Sequence, residues 1–223
     1  MASRSGGADL DATRLGGGAG LVFAALYLAH VVLQSPGPVD GSVATVAAYF
    51  AEHRFELLLS EVLNGIGLLV FVIFLAALAG TLRHAGEQVV AAGVLASGAV
   101  FVALGLVSTA AETALVRVAD TGDPAAVLTL FELQATVPVV FAVTALTGTI
   151  ALAVLRTRLL PRWLGFAGLG VTAVFLIGAV ISVFGTAEGE SSPLGPALFL
   201  SWMFVLCIGL IRAAPPQHHL VHH

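Results

Sequence analysis

Glu61 and Asn64 place a carboxyl group and a carboxamide three residues apart inside the apolar run Phe55–Leu82. On a helix that spacing puts both side chains on one face. Arg54, seven residues before Glu61, falls on the same stripe. An ionisable group inside a membrane span is costly and faces protein or trapped water rather than lipid. A carboxyl sheltered from water can keep its proton and act as a general acid.

Comparable groups recur near one end of each other long apolar run. Tyr27, His30 and Gln34 follow at spacings of three and four, and Ser108 and Glu112 are four apart. Glu132, Gln134 and Thr136 open a fourth run; Ser182 lies in the fifth, and Ser201 with Trp202 in the sixth. Converging faces would give a polar site above an apolar floor. In that site Glu61 would donate a proton, Asn64 and His30 would orient it, and Glu112 and Glu132 would tune it or stabilise positive charge. Tyr27, Arg54, Ser108, Gln134, Thr136 and Trp202 would line the substrate. Such a site suits a greasy molecule arriving from the bilayer, with protonation of an alkene or epoxide, or proton shuttling, as its chemistry. His30 and the acids lack the HxxxH, HxxE or ExxH spacing of a helical metal site, so neither metal nor cofactor is expected.

A competing reading needs no site. Polar residues belong at helix ends, where long side chains reach water. Residues 62–82 alone are long enough to cross a bilayer, which would leave Glu61 at the headgroups. Arg54 and Arg117 then simply neutralise nearby carboxylates.

The elements that must position these groups follow from composition. Of 223 residues, 58% are hydrophobic and 10% charged, where a soluble domain carries about 25% charged residues. Lipid is the solvent that tolerates such a surface. Twenty-five glycines fit close helix packing. The single cysteine, Cys207, excludes an intramolecular disulfide. All nine basic residues are arginine, which excludes a lysine Schiff base and a retinal pigment bound that way.

The predicted fold class is an all-α, polytopic transmembrane bundle of six spans. These are Gly16–Gln34, Phe55–Leu82, Val89–Ala111, Ala135–Leu155, Trp163–Gly185 and Pro196–Ile211. Residues 1–15 read as a disordered tail, 16–212 as the membrane domain and 213–223 as a His-rich tail. Val43–Arg54 reads as a short interfacial helix before the second span. The connection Glu112–Gln134 carries helical character, with Pro124 as a helix start, and Pro138 is expected to kink the fourth span. Arg4, Arg14, Arg83, Arg156, Arg158, Arg162 and Arg212 fall on one side of this layout and Arg54 and Arg117 on the other. The positive-inside rule therefore puts both termini in the cytoplasm of a cell whose plasma membrane holds the protein. Ten of the thirteen acidic residues lie on or near the other side.

Phe55-Glu56-Leu57 and Phe131-Glu132-Leu133 each open a run approached from the same side, a weak sign of a duplicated three-helix unit. The terminal histidines His218, His219, His222 and His223 read as a flexible tail. No phosphate loop, Rossmann glycines, serine elbow or nucleic-acid patch is present.

Two stretches carry a resemblance. Ala48-Tyr49-Phe50-Ala51-Glu52-His53-Arg54 leads into one span, and Leu160-Pro161-Arg162-Trp163-Leu164-Gly165 opens another. In these, and over most of the chain after residue 15, the sequence resembles a large family of bacterial six-helix membrane proteins without assigned activity. The resemblance implies the fold and topology, and no function. In general type the chain also resembles membrane-embedded terpene cyclases, without a motif matched residue by residue.

Three function classes remain open. The first is a site for a hydrophobic, isoprenoid or lipid-like substrate, most concretely an acid-initiated cyclase. The second is a proton- or cation-coupled carrier using the same acids. The third is a non-catalytic accessory subunit. The expected partners are membrane lipid and a hydrophobic small molecule, with no nucleic acid; the oligomeric state is left open.

Overall fold

The computed structural model describes residues 5–34, 42–119, 123–136, 138–157, 159–184 and 194–213. Among the described residues all regular structure is helical: α1 (Ser5–Leu33), α2 (Val43–Glu52), α3 (Arg54–His84), α4 (Gln88–Ala119), α5 (Pro124–Thr136), α6 (Val139–Thr157), α7 (Arg162–Phe184) and α8 (Leu194–Ala213). Six helical stretches are long and apolar enough to cross a bilayer, counting α5 and α6 as one run. This is the makeup of a multi-pass membrane protein.

Local chemistry sets the helix ends. Ser42 caps α2, its hydroxyl accepting from the Thr45 amide at 3.2 Å. The end of α3 is closed by Gly86, whose φ of 84° is open to glycine at little strain. There the Glu87 amide donates to the Leu82 carbonyl at 2.9 Å and the Gly86 amide to Arg83 at 3.0 Å, the paired bonds of a Schellman turn. Asp123 opens α5, accepting from the Ala125 and Ala126 amides, with Pro124 at the first helical position. Pro138 and Pro161 stand just ahead of α6 and α7.

The spanning helices form a closed ring in the order α1, α3, α4, α6, α7, α8, with α8 returning to α1. The rings of Phe23, Phe71, Phe101 and Phe199 interlock in the main core, with centroid separations from 4.4 to 6.5 Å. Small residues let helices approach: a Cβ on Gly17 would come within 2.9 Å of the Cys207 carbonyl, so α1 and α8 meet at backbone distance. At one end of the bundle lie Arg83, Arg156, Arg162 and Arg212, with Arg156 3.6 Å from Glu87. We call this the arginine end.

At the opposite end α3 and α4 outrun a bilayer. Their 31 and 32 residues extend about 46–48 Å at 1.5 Å per residue, against a hydrocarbon core of about 30 Å. The surplus turns carry α2 and α5, and a second apolar cluster forms there from Val46, Phe50, Leu57, Leu115, Val116, Ala119 and Val127.

Several expectations change. Helix α1 reaches back to Ser5, into the stretch read as a tail; Thr13 bonds Thr81 at 3.2 Å and so ties that end to α3. Helix α4 continues to Ala119, so Glu112 lies inside a helix rather than in a connection. The fourth run is two helices: α5 ends at Thr136 and α6 starts at Val139, because Pro138 has no amide hydrogen to continue the ladder. Within Ala48–Arg54 the Tyr49 and His53 rings stack at 4.8 Å, and Leu160 and Leu164 are buried at the foot of α7. The Ser35–Pro38 break, the Glu188–Pro193 loop and the histidine tail lie outside the described residues.

Candidate functional site: a buried carboxyl pair

Glu61 and Glu112 meet at the end away from the arginines. They are 3% and 5% exposed, although each comes from a different helix, α3 and α4. Gln34, at the last turn of α1, joins them. Its amide nitrogen lies 3.0 and 3.1 Å from the two Glu112 oxygens and 3.5 Å from Glu61 Oε1. Gln134, from α5, donates to Glu112 Oε2 at 2.8 Å. Four helices therefore contribute to one cluster.

The floor of the cluster is built by residues on the faces of α1 and α3. Asn64 is one turn from Glu61 and donates to the Thr109 hydroxyl of α4 at 3.0 Å; both Asn64 and Thr109 flank the Glu61 carboxyl. His30 Nδ1 lies 3.1 Å from the Ser60 carbonyl, and a carbonyl only accepts, so Nδ1 carries the hydrogen. The same nitrogen is 3.6 Å from Glu61 Oε1. Below His30, the Tyr27 ring is 5.6 Å away, and Phe23 lies 5.7 Å beyond Tyr27. The polar layer thus rests directly on the phenylalanine core.

Above the layer sits the cap made by α2 and α5. Tyr49 of α2 feels Glu112: burial first, and then that nearby carboxyl, push its phenol above the usual tyrosine range. The site is consequently closed between two apolar clusters.

One oxygen stands apart. Glu61 Oε2 is buried and, among the described residues, has no hydrogen-bond partner. Buried carboxyl oxygens are ordinarily bonded; this one keeps acceptor capacity in a carboxyl that Thr109, Glu112, Gln34 and Asn64 surround. The donors around the pair are amides, hydroxyls and one imidazole. Among the described residues, the groups bonded to the pair position the carboxyls and carry no fixed positive charge.

The structure sorts the expected residues unevenly. Glu61, Asn64, Glu112, His30, Tyr27 and Gln134 gather. Glu132 does not: it is exposed on α5. Two residues subtend about 200° around a helix, so Gln134 facing the pair turns Glu132 away. Arg54 and Arg117 are exposed as well. Trp202 belongs elsewhere, its indole donating to the Leu164 carbonyl at 3.0 Å near the foot of α7. Ser108 is half-buried on α4, while the side chains of Thr136 and Ser182 lie outside the described residues. Ser60 and Thr109 join the site without having been singled out. Thr109, three residues before Glu112, shares its face, and that spacing was the available signal. Among the described residues, no three His, Cys, Asp or Glu side chains gather as a metal site.

Comparison with protein-family models, curated proteins and solved structures finds no match to this chain.

Proposed function

We propose that this membrane protein is a proton-coupled carrier whose proton site is the Glu61–Glu112 pair. One observation carries the reading: two carboxyls from different helices are buried side by side in a shell of neutral donors. Ionised carboxylates only accept hydrogen bonds, and like charges at this range repel. A proton shared by the pair relieves that repulsion, and its departure restores it. Loading and unloading the pair would thereby change how tightly α1, α3, α4 and α5 hold together at this point. That is the coupling a carrier needs: one site whose protonation alters helix packing.

The arginine distribution supports the direction. Seven of nine arginines belong to the termini and to the loops on their side. Under the positive-inside rule the termini are cytoplasmic, the protein sits in the cell membrane, and the pair lies near the external face. Helix α2 then rests at the external interface as part of the cap. On the Ala48–Arg54 and Leu160–Gly165 stretches, we place the chain beside the six-helix bacterial family that those motifs resemble.

The test uses purified protein in sealed proteoliposomes. Infrared spectra across pH should show a protonated-carboxyl band that titrates and that weakens in both Glu61→Gln and Glu112→Gln. With a panel of small apolar and cationic solutes, uptake driven by an imposed pH gradient should be lost in the same variants. A carboxyl band indifferent to pH, or solute uptake that ignores the gradient, would overturn the assignment.

A second reading draws on Glu61 Oε2 above an aromatic floor. A protonated carboxyl there could start a cyclisation of an isoprenoid chain, with the rings stabilising the resulting cation. It requires the phenylalanine rings, now in mutual contact, to part for substrate. Undiminished turnover in Glu61→Gln would remove it.

A further inference from the structure

Three features converge at Glu61. Among the described residues its Oε2 has no hydrogen-bond partner, in a residue only 3% exposed. The Tyr27 ring lies within electrostatic reach of that carboxyl. From Tyr27 a continuous set of rings descends the axis of the helix ring: Phe23 at 5.7 Å, then Phe71 at 4.4 Å and Phe199 at 6.4 Å from Phe23. A carboxylate supplies one negative charge and acceptor capacity, and ring faces attract cations through their quadrupoles. A small inorganic ion needs a shell of several converging oxygen ligands, and although Glu61, Glu112 and His30 lie close together, no three His, Cys, Asp or Glu side chains among the described residues are arranged to hold a metal ion. A bulky cation whose charge is spread over an apolar body needs few hydrogen bonds and much aromatic surface.

We propose that the coupled solute is an organic cation with an apolar body, held between Glu61 Oε2 and the rings of Tyr27, Phe23, Phe71 and Phe199. This rests on the proton-exchange reading and names its second ligand. The cation and the proton compete for Glu61, so binding one expels the other. The rings are in contact in the present state, and the cation binds by moving Tyr27 and Phe23 aside. Titratable groups facing Glu61 are His30 and Tyr27 from α1 and Glu112 from α4. Through Glu112 they include Tyr49 of α2; α5 sends Gln134, which does not titrate.

The test is calorimetric binding of tetraphenylphosphonium to the full chain in detergent micelles, with empty micelles subtracted. Binding should weaken as pH falls and should release protons, read from buffers of different ionisation enthalpy. Glu61→Gln should weaken binding about tenfold or more, and Glu132→Gln, on the exposed face, should bind as the native chain does. Because Glu61→Gln can also disturb folding, Glu61→Asp is the companion variant: it keeps the charge and should retain weaker, still pH-dependent binding. Equal binding by native protein and Glu61→Gln would overturn the proposal. So would pH-independent binding in Glu61→Asp, or equal binding of the neutral triphenylphosphine oxide. If the infrared carboxyl band still titrates while tetraphenylphosphonium fails to bind, only this proposal falls. If the band itself is silent, the proton reading falls with it.

Discussion

Replacing the two acids singly and together measures how strongly they feel each other. Glu61 Oε1 and Glu112 Oε1 lie 3.5 and 3.0 Å from the same Gln34 nitrogen, so they are at most 6.5 Å apart. At about 5 Å and an effective dielectric near 20, two full charges repel by about 3 kcal/mol. Glutamine is nearly isosteric, so Glu61→Gln or Glu112→Gln removes the repulsion while keeping a side chain that can still meet Gln34. At alkaline pH each single variant should be more stable than the native chain. The double variant should gain little beyond either single one. The coupling in the double-mutant cycle is then about 3 kcal/mol at alkaline pH and under about 1 kcal/mol at acid pH, where shared protons have already silenced the charge. Unfolding in mixed micelles, followed by helix content and by Trp163 and Trp202 fluorescence, reads all four proteins. Additive effects at both pH values would mean that the carboxyls do not interact, and the reasoning from their shared amide would fail.

Other perturbations test the frame around the pair. Gln34→Leu removes the donor common to both acids; the lost bond to a charged group should cost about 1.5–3 kcal/mol, measured by the same unfolding assay. Gly17→Val should split the α1–α8 seam, because the new Cβ meets the Cys207 carbonyl at 2.9 Å and the Ile211 amide at 3.3 Å. Backbone cannot rotate aside as a side chain can, so the loss should reach or exceed the about 1–3 kcal/mol of ordinary overpacking, with cross-linking of cysteines placed on α1 and α8 as a second readout. Trp202→Phe forfeits the bond to the Leu164 carbonyl and should destabilise by about 1–2 kcal/mol while leaving the infrared carboxyl band unchanged.

The helices are legible in the sequence because each apolar run is long and most end at glycine, proline or arginine, the third run being the exception. Glu61 and Asn64 were legible as partners because helical spacing is local information. In sequence Glu112 stands at the edge of a connection, since polar residues thicken after Ala111; only the packing of Leu115, Val116 and Ala119 under α2 and α5 shows why the helix runs on. Glu132 misled for a different reason. Its direction depends on the rotation of α5, which docking against α2 and α4 decides. Trp202 lies at the middle of α8, the ninth of its 20 residues, and its indole reaches the foot of α7 rather than the carboxyl pair. In sequence Gln34 is one of a series of polar residues at helical spacing. That it bridges two acids 27 and 78 residues away is tertiary information that no local pattern holds.

The sheet of hydrogen-bonding groups also interrupts the oily cohesion of the fold. The upper cluster around Leu57 and Leu115 and the lower one around Phe71 and Leu146 share no member. Such a boundary behaves as a fault plane, with a small hood on one side and the ring of long helices on the other. Amide hydrogens of α2 and α5 should therefore exchange with solvent well before those at the middle of α3, as two cooperative units of unequal strength.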